Sequence, residues 1–147
     1  PIYHAGLSGK EAIKKTLDQM GVAYEDLGTN SDESVDYPDY AERVAKRVAA
    51  GEVEQGILVC GSGIGMQIAA NKVQGIRAAL AWNEETARLS RQHNDANIVT
   101  VGARTTAPET IDQIIRTFLT TDFEGGRHSR RVEKIAQLDK ELAQQKG

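Results

Sequence analysis

Apolar positions recur at helical spacing from about Ser8 to Met20, where Ala12, Ile13, Leu17 and Met20 share one stripe and Gly21 stops it. Val22 to Glu25 reads as a short strand, and the polar stretch Gly28 to Asp36 as a loop. Pro38 in a first turn, followed by Tyr40, Val44, Ala45 and Val48, predicts a helix ending at Gly51. Gln55 to Cys60 is compact and apolar, the pattern of a strand buried on both faces. After a glycine loop the alternation continues: helix from about Met66 to Lys72, strand Ile76 to Trp82, helix Glu84 to His93, strand Asn97 to Val101. Helices from Pro108 to Leu119 and from about Arg127 to Gln144 complete it. Strands alternating with amphipathic helices predict an α/β fold, a mainly parallel sheet covered on both faces. No internal repeat or linker interrupts the pattern, so residues 1–147 read as a single domain.

Composition adds exclusions rather than a function. The unbroken apolar runs are far short of a bilayer span, so no membrane helix is expected. The single Cys60 makes no internal disulfide, and the first residues lack the basic and apolar regions of a signal peptide; both fit a cytoplasmic setting. The net charge of −3 argues against general nucleic-acid binding, which needs a cationic face. Residues 126–147 nevertheless carry 6 Lys/Arg against 3 Asp/Glu, much of it in Gly126-Arg127-His128-Ser129-Arg130-Arg131.

The sharpest feature is Cys60-Gly61-Ser62-Gly63-Ile64-Gly65-Met66, where a strand gives way to a helix. Alternate glycines let main-chain N–H groups converge on an anion, and the carboxyl edge of an open α/β sheet is where ligands bind. A thiol beside a helix N-terminus ionises more readily, which suits a base or a nucleophile. A buried structural cysteine beside a tight turn is the plain alternative. The third glycine comes one residue early for a dinucleotide fingerprint, and the Gly-Lys-Ser/Thr ending of a phosphate-binding P-loop is absent. A cysteine phosphatase loop needs an Arg six positions after the thiol, and that position is Met66.

Arg127, His128 and Arg131 begin the last predicted helix, where cations oppose the helix dipole unless an anion sits among them. Arg127 and Arg131 are four apart on one face and suit a phosphate; a solvated basic face is the alternative. His93 and Asn94 close a predicted helix, with Asn94 a candidate left-handed cap. Asp36-Tyr37-Pro38 reads equally as a helix cap. No Cys or His pair has metal-ligand spacing, so no metal is expected.

Together these segments closely resemble the type B ribose-5-phosphate isomerases and their relatives acting on galactose 6-phosphate or allose 6-phosphate. The matching stretches are His4-Ala5-Gly6, Asp36-Tyr37-Pro38, Cys60-Gly61-Ser62-Gly63-Ile64-Gly65, Ala69-Ala70-Asn71-Lys72, Ser90-Arg91-Gln92-His93-Asn94-Asp95, Val101-Gly102-Ala103-Arg104 and Glu124-Gly125-Gly126-Arg127-His128. The resemblance implies a Rossmann-like three-layer sandwich with a five-stranded sheet, and a C-terminal helix used in dimerisation. It implies an aldose–ketose isomerisation of ribose 5-phosphate without cofactor, through a cis-enediolate. Cys60 would be the base, with Ser62 assisting proton traffic and the N–H groups of Gly61, Gly63, Ile64 and Gly65 holding the enediolate. His93 would assist ring opening beside Asn94, and His4 and Tyr37 would line the sugar. Arg127 and Arg131, with His128 and Arg104, would bind the phosphate. The family's site lies between subunits, with the His93 and Arg104 region from the neighbour, so a homodimer or tetramer with shared sites is implied.

One segment departs from the family. An apolar strand ending in a pair such as Ser-Asp should precede His-Ala-Gly, but only Pro1-Ile2-Tyr3 precedes His4, and Tyr3 stands where a sugar-contacting Asp is expected. The first strand, central in the family's sheet, thus reads as cut short, and the expectation is a gap of roughly five residues between Tyr3 and His4. A hexose-6-phosphate isomerase remains an alternative, because pocket depth is not legible here. A phosphosugar-binding protein with impaired turnover is another, suggested by the missing Asp.

Overall fold

The computed structural model describes residues 2–5, 10–27 and 36–146. Five strands, β1 (Ile2–Ala5), β2 (Tyr24–Asp26), β3 (Gln55–Cys60), β4 (Ala78–Leu80) and β5 (Ile98–Gly102), form one sheet in the order β2-β1-β3-β5-β4. Every pairing is parallel. Six helices accompany it: α1 (Lys10–Met20), α2 (Tyr37–Ala49), α3 (Ile64–Ala70), α4 (Glu84–Gln92), α5 (Pro108–Thr120) and α6 (Arg127–Lys146).

The period-two alternation of the central strands sorts the core into two layers. Ile57 and Val59 of β3 with Val99 and Val101 of β5 meet α1 and α5 through Ile13, Leu17, Ile114, Ile115 and Phe118. Leu58 and Ile98 point the other way, onto Val44, Ala45 and Val48 of α2 and Met66 and Ala70 of α3. This is the three-layer arrangement expected from the sequence. No helix among the described residues is long and apolar enough to cross a membrane.

The expected gap at the first strand is not needed to fill the sheet. Residues 2–5 run between β2 and β3, with Tyr3 and His4 as consecutive rungs of both ladders (His4 opposite Asp26 and Ile57). Strand pairing is made by main-chain groups, so four residues close the centre of the sheet whatever their side chains. At the opposite edge, the Asn71 side chain donates to the Ala78 carbonyl at 2.9 Å and accepts from the Ala78 N–H at 2.7 Å. Its amide takes the place of a neighbouring strand on β4, whose main chain is otherwise open there.

Two boundaries differ from expectation. Helix α3 begins at Ile64, two residues early, because Gly63 serves as its N-cap in a left-handed conformation (φ +79°). The left-handed residue after α4 is Asp95 (φ +48°), not Asn94. Arg91 donates to its carboxylate at 2.9 Å and Arg77 to its carbonyl at 2.8 Å, which fixes this turn from both sides.

Candidate functional site

Strands β3 and β5 end side by side, Cys60 opposite Gly102. Pairing continues beyond the strands: Ala103 N–H donates to the Cys60 carbonyl at 2.8 Å and Arg104 N–H to the Gly61 carbonyl at 2.9 Å. The loop after β5 is thereby stitched to the cysteine loop, and the Arg104 side chain lies against Gly61. The result is a cleft of about 350 Å³ at the carboxyl edge, lined by Tyr37, Cys60, Gly61, Ser62, Gly65, Arg104 and Thr105.

Main-chain donors hold two of the side chains that line this cleft. Gly63 N–H donates to Cys60 Sγ at 3.1 Å, and Ile64 N–H to Ser62 Oγ at 3.3 Å. The N–H aimed at the sulfur fixes where the thiol points, toward the cleft wall that a base would have to occupy. Tyr37, at the start of α2, lays its ring over Gly65: a Cβ there would stand 2.5 Å from the phenol oxygen, so only glycine admits the ring in this position.

The other expected residues gather elsewhere. His93 caps α4 and His128 sits in the first turn of α6; their rings stack with centroids 4.1 Å apart and planes 13° apart. Glu124 Oε1 lies 3.5 Å from His93 Nε2 and 3.8 Å from His128 Nε2. Burial pushes the His128 pKa down, helped by the charges of His93 and Arg127, while Glu124 opposes. Arg127 and Arg131 stand exposed on the same turn, with Arg131 donating to the Arg127 carbonyl at 3.2 Å. An anion held between them would relieve the repulsion that acts on His128.

Spacing in the sequence gave no metal signal, yet His93, Glu124 and His128 bring three donor atoms within 4.8 Å of one another. An ion shared by two imidazoles must lie in the plane of each ring. Nearly parallel stacked planes do not meet at such a point, so the arrangement is a packed pair rather than a preformed metal site.

One further placement corrects the sequence reading. Arg104 lies in the Cys60 cleft of its own chain and needs no neighbour to reach that loop. Asn94, next to His93 in the chain, lines a separate groove with Gln67, Asn71, Ile135 and Leu138. The side chain of His4 lies outside the described residues. Thr105 and Glu124 were missed as site residues: neither has a spacing signature, although Glu124 adjoins the glycines before the basic cluster.

A parallel three-layer α/β domain with a thiol under main-chain donors at its carboxyl edge defines a class of proteins that bind small anionic ligands at that edge. Within that class, the chain belongs to the ribose/galactose isomerase family, whose pattern matches residues 3–135. Ribose-5-phosphate isomerase B of Escherichia coli is 46% identical over 136 residues, covering 92% of this chain and 91% of its own. Among solved structures, ribose-5-phosphate isomerase B of Clostridium thermocellum superposes with a TM-score of 0.91 at 43% identity, over 96% of this chain and 97% of its own. The Mycoplasma genitalium enzyme with bound ribulose-5-phosphate gives 0.90 at 42% identity, over 95% and 96%.

Proposed function

We propose that the chain interconverts ribose 5-phosphate and ribulose 5-phosphate, with Cys60 as the base that moves a proton between carbons 2 and 1. The Cys60 thiolate takes the proton from carbon 2 of the open aldose, and that C–H electron pair becomes the carbon 1–carbon 2 double bond of a cis-enediolate. The same thiol returns the proton to carbon 1, giving the ketose, while Ser62 relays a proton between the two sugar oxygens. Main-chain donors of Gly61 to Gly65 hold the negative charge that develops on those oxygens. The observation that carries this reading is the 3.1 Å contact from Gly63 N–H to Cys60 Sγ at the wall of the cleft. The Mycoplasma genitalium relative solved with ribulose-5-phosphate supports the choice of sugar.

His93 assists ring opening with Asn94 nearby, Tyr37 and His4 line the sugar, and Arg127, His128 and Arg131 hold the phosphate, with Arg104 reaching toward it from the cysteine side. Within one chain the Cys60 cleft and the His93–His128 cluster share no lining residue. A second copy of the chain completes the site in a homodimer or tetramer. Ile135, Leu138 and Leu142 of α6 and Ile64 and Ile68 of α3 are exposed and supply the apolar contact. No metal or organic cofactor enters this chemistry.

Cys60→Ala tests the assignment: a coupled assay with ribose 5-phosphate should show a loss of about 10²- to 10⁴-fold in kcat. Undiminished turnover refutes the base. Faster turnover of allose 6-phosphate or galactose 6-phosphate by the native chain would replace the pentose reading. Binding of ribose 5-phosphate without turnover would favour the impaired reading, for which Tyr3 in place of an acidic residue is the ground.

A further inference from the structure

Strand β5 carries a polar residue where the core is otherwise apolar: Thr100, 0% exposed, between Val99 and Val101. It lies opposite Leu58 of β3 and Leu80 of β4. Valine has the same shape and would fill this place without a hydroxyl to satisfy. Among the described residues the hydroxyl has one partner: Thr100 Oγ1 donates to the Gly63 carbonyl at 2.9 Å, a bond made wholly inside the protein. Gln67 N–H reaches the same carbonyl at 3.2 Å as the first bond of α3.

We propose that Thr100 is a positioning residue for the isomerase site, holding the Gly63–Ile64 peptide so that its carbonyl faces the core and its N–H faces the cleft. The proposal rests on reading Cys60 as the base. In a trans peptide the C=O and N–H point to opposite sides. Anchoring the carbonyl inward therefore turns Ile64 N–H toward Ser62, where it is found. At Gly63, with φ +79° and no side chain, this peptide is held through its carbonyl, by Thr100 from the core and by Gln67 from α3. Reversal would direct a carbonyl oxygen at the developing enediolate and would release Gly63, whose own N–H is bonded to the sulfur.

Thr100→Val and Thr100→Ser test this in the native chain, with kcat and KM for ribose 5-phosphate and the rate of Cys60 alkylation by iodoacetamide at fixed pH. Thr100→Val should lower kcat about three- to tenfold with KM little changed, the size of one hydrogen bond. Alkylation should slow as well. The alkylation rate reads the same loop, because the Gly63 N–H that holds the sulfur in place adjoins the peptide that Thr100 anchors. Thr100→Ser should restore both. A merely structural threonine predicts native kcat and alkylation in Thr100→Val, and that result overturns the proposal. A fall in kcat without slower alkylation overturns it too, as does failure of serine to restore. If the valine variant does not fold, Thr100→Ala, which also removes the hydroxyl, is held to the same outcomes. Active Cys60→Ala would refute the base instead, while the alkylation rates would still report whether Thr100 governs the loop.

Discussion

Gly65 and Tyr37 show how much one hydrogen atom in place of a methyl group decides. The contact that a Cβ at position 65 would make is with the far end of an exposed tyrosine, which can swing away. Gly65→Ala should therefore change thermal stability by less than about 1 kcal/mol while displacing the phenol from the cleft. The readout is KM for ribose 5-phosphate, expected to rise about tenfold, the equivalent of one lost sugar contact. Tyr37→Ala should match it, and the double variant should add little, because both remove the same ring. Additive effects would show that the ring does not act through this contact. The glycine was legible in the sequence as part of a loop. Its partner was not, since Tyr37 and Gly65 come together only when α2 packs beside α3.

Among the elements, α1 and α5 are joined by a polar clasp at the edge of their apolar contact. Asp112 of α5 accepts from Thr16 of α1 at 2.6 Å and from Arg116 at 2.9 Å, and Arg116 reaches Gln19 at 2.6 Å. The Arg116 bond, then the Thr16 bond, hold the Asp112 carboxyl below its ordinary pKa. Its folded pKa is lower than its unfolded one, so the stabilisation is present above the unfolded value and is lost as pH falls through the folded value. Asp112 is 40% exposed, which keeps the contribution small. Urea midpoints should show Asp112→Asn less stable than the native chain at neutral pH, with the gap closing as pH falls below the ordinary carboxylate range. A gap that persists in acid would exclude the charge as its source. Periodicity predicted both helices, but nothing in either segment alone announced that Thr16 and Asp112 would meet.

For the whole molecule, assembly tests the proposal that two chains share the site. Mixing Cys60→Ala with Arg127→Ala, each inactive alone, should restore about a quarter of native activity, because half the dimers are mixed and each mixed dimer has one intact site. No recovery after mixing under exchanging conditions would place the whole site within one chain. Leu138→Glu on the exposed face of α6 should shift sedimentation toward monomer and lower activity together. The order of strands and helices and the edge of the sheet where a site would form were set by sequence alone, since hydrophobic period and glycine placement are local properties. So were the chemical groups: one thiol in a glycine loop and a basic cluster before the last helix. Only the tertiary structure decided that residues 2–5 suffice for the central strand, that Arg104 joins Cys60, and that His93 stacks on His128. It alone gave the Thr100 hydroxyl its task in the core. The physical reason is separation along the chain: contacts between residues 22 or more positions apart arise from packing of whole elements, and no local pattern encodes them.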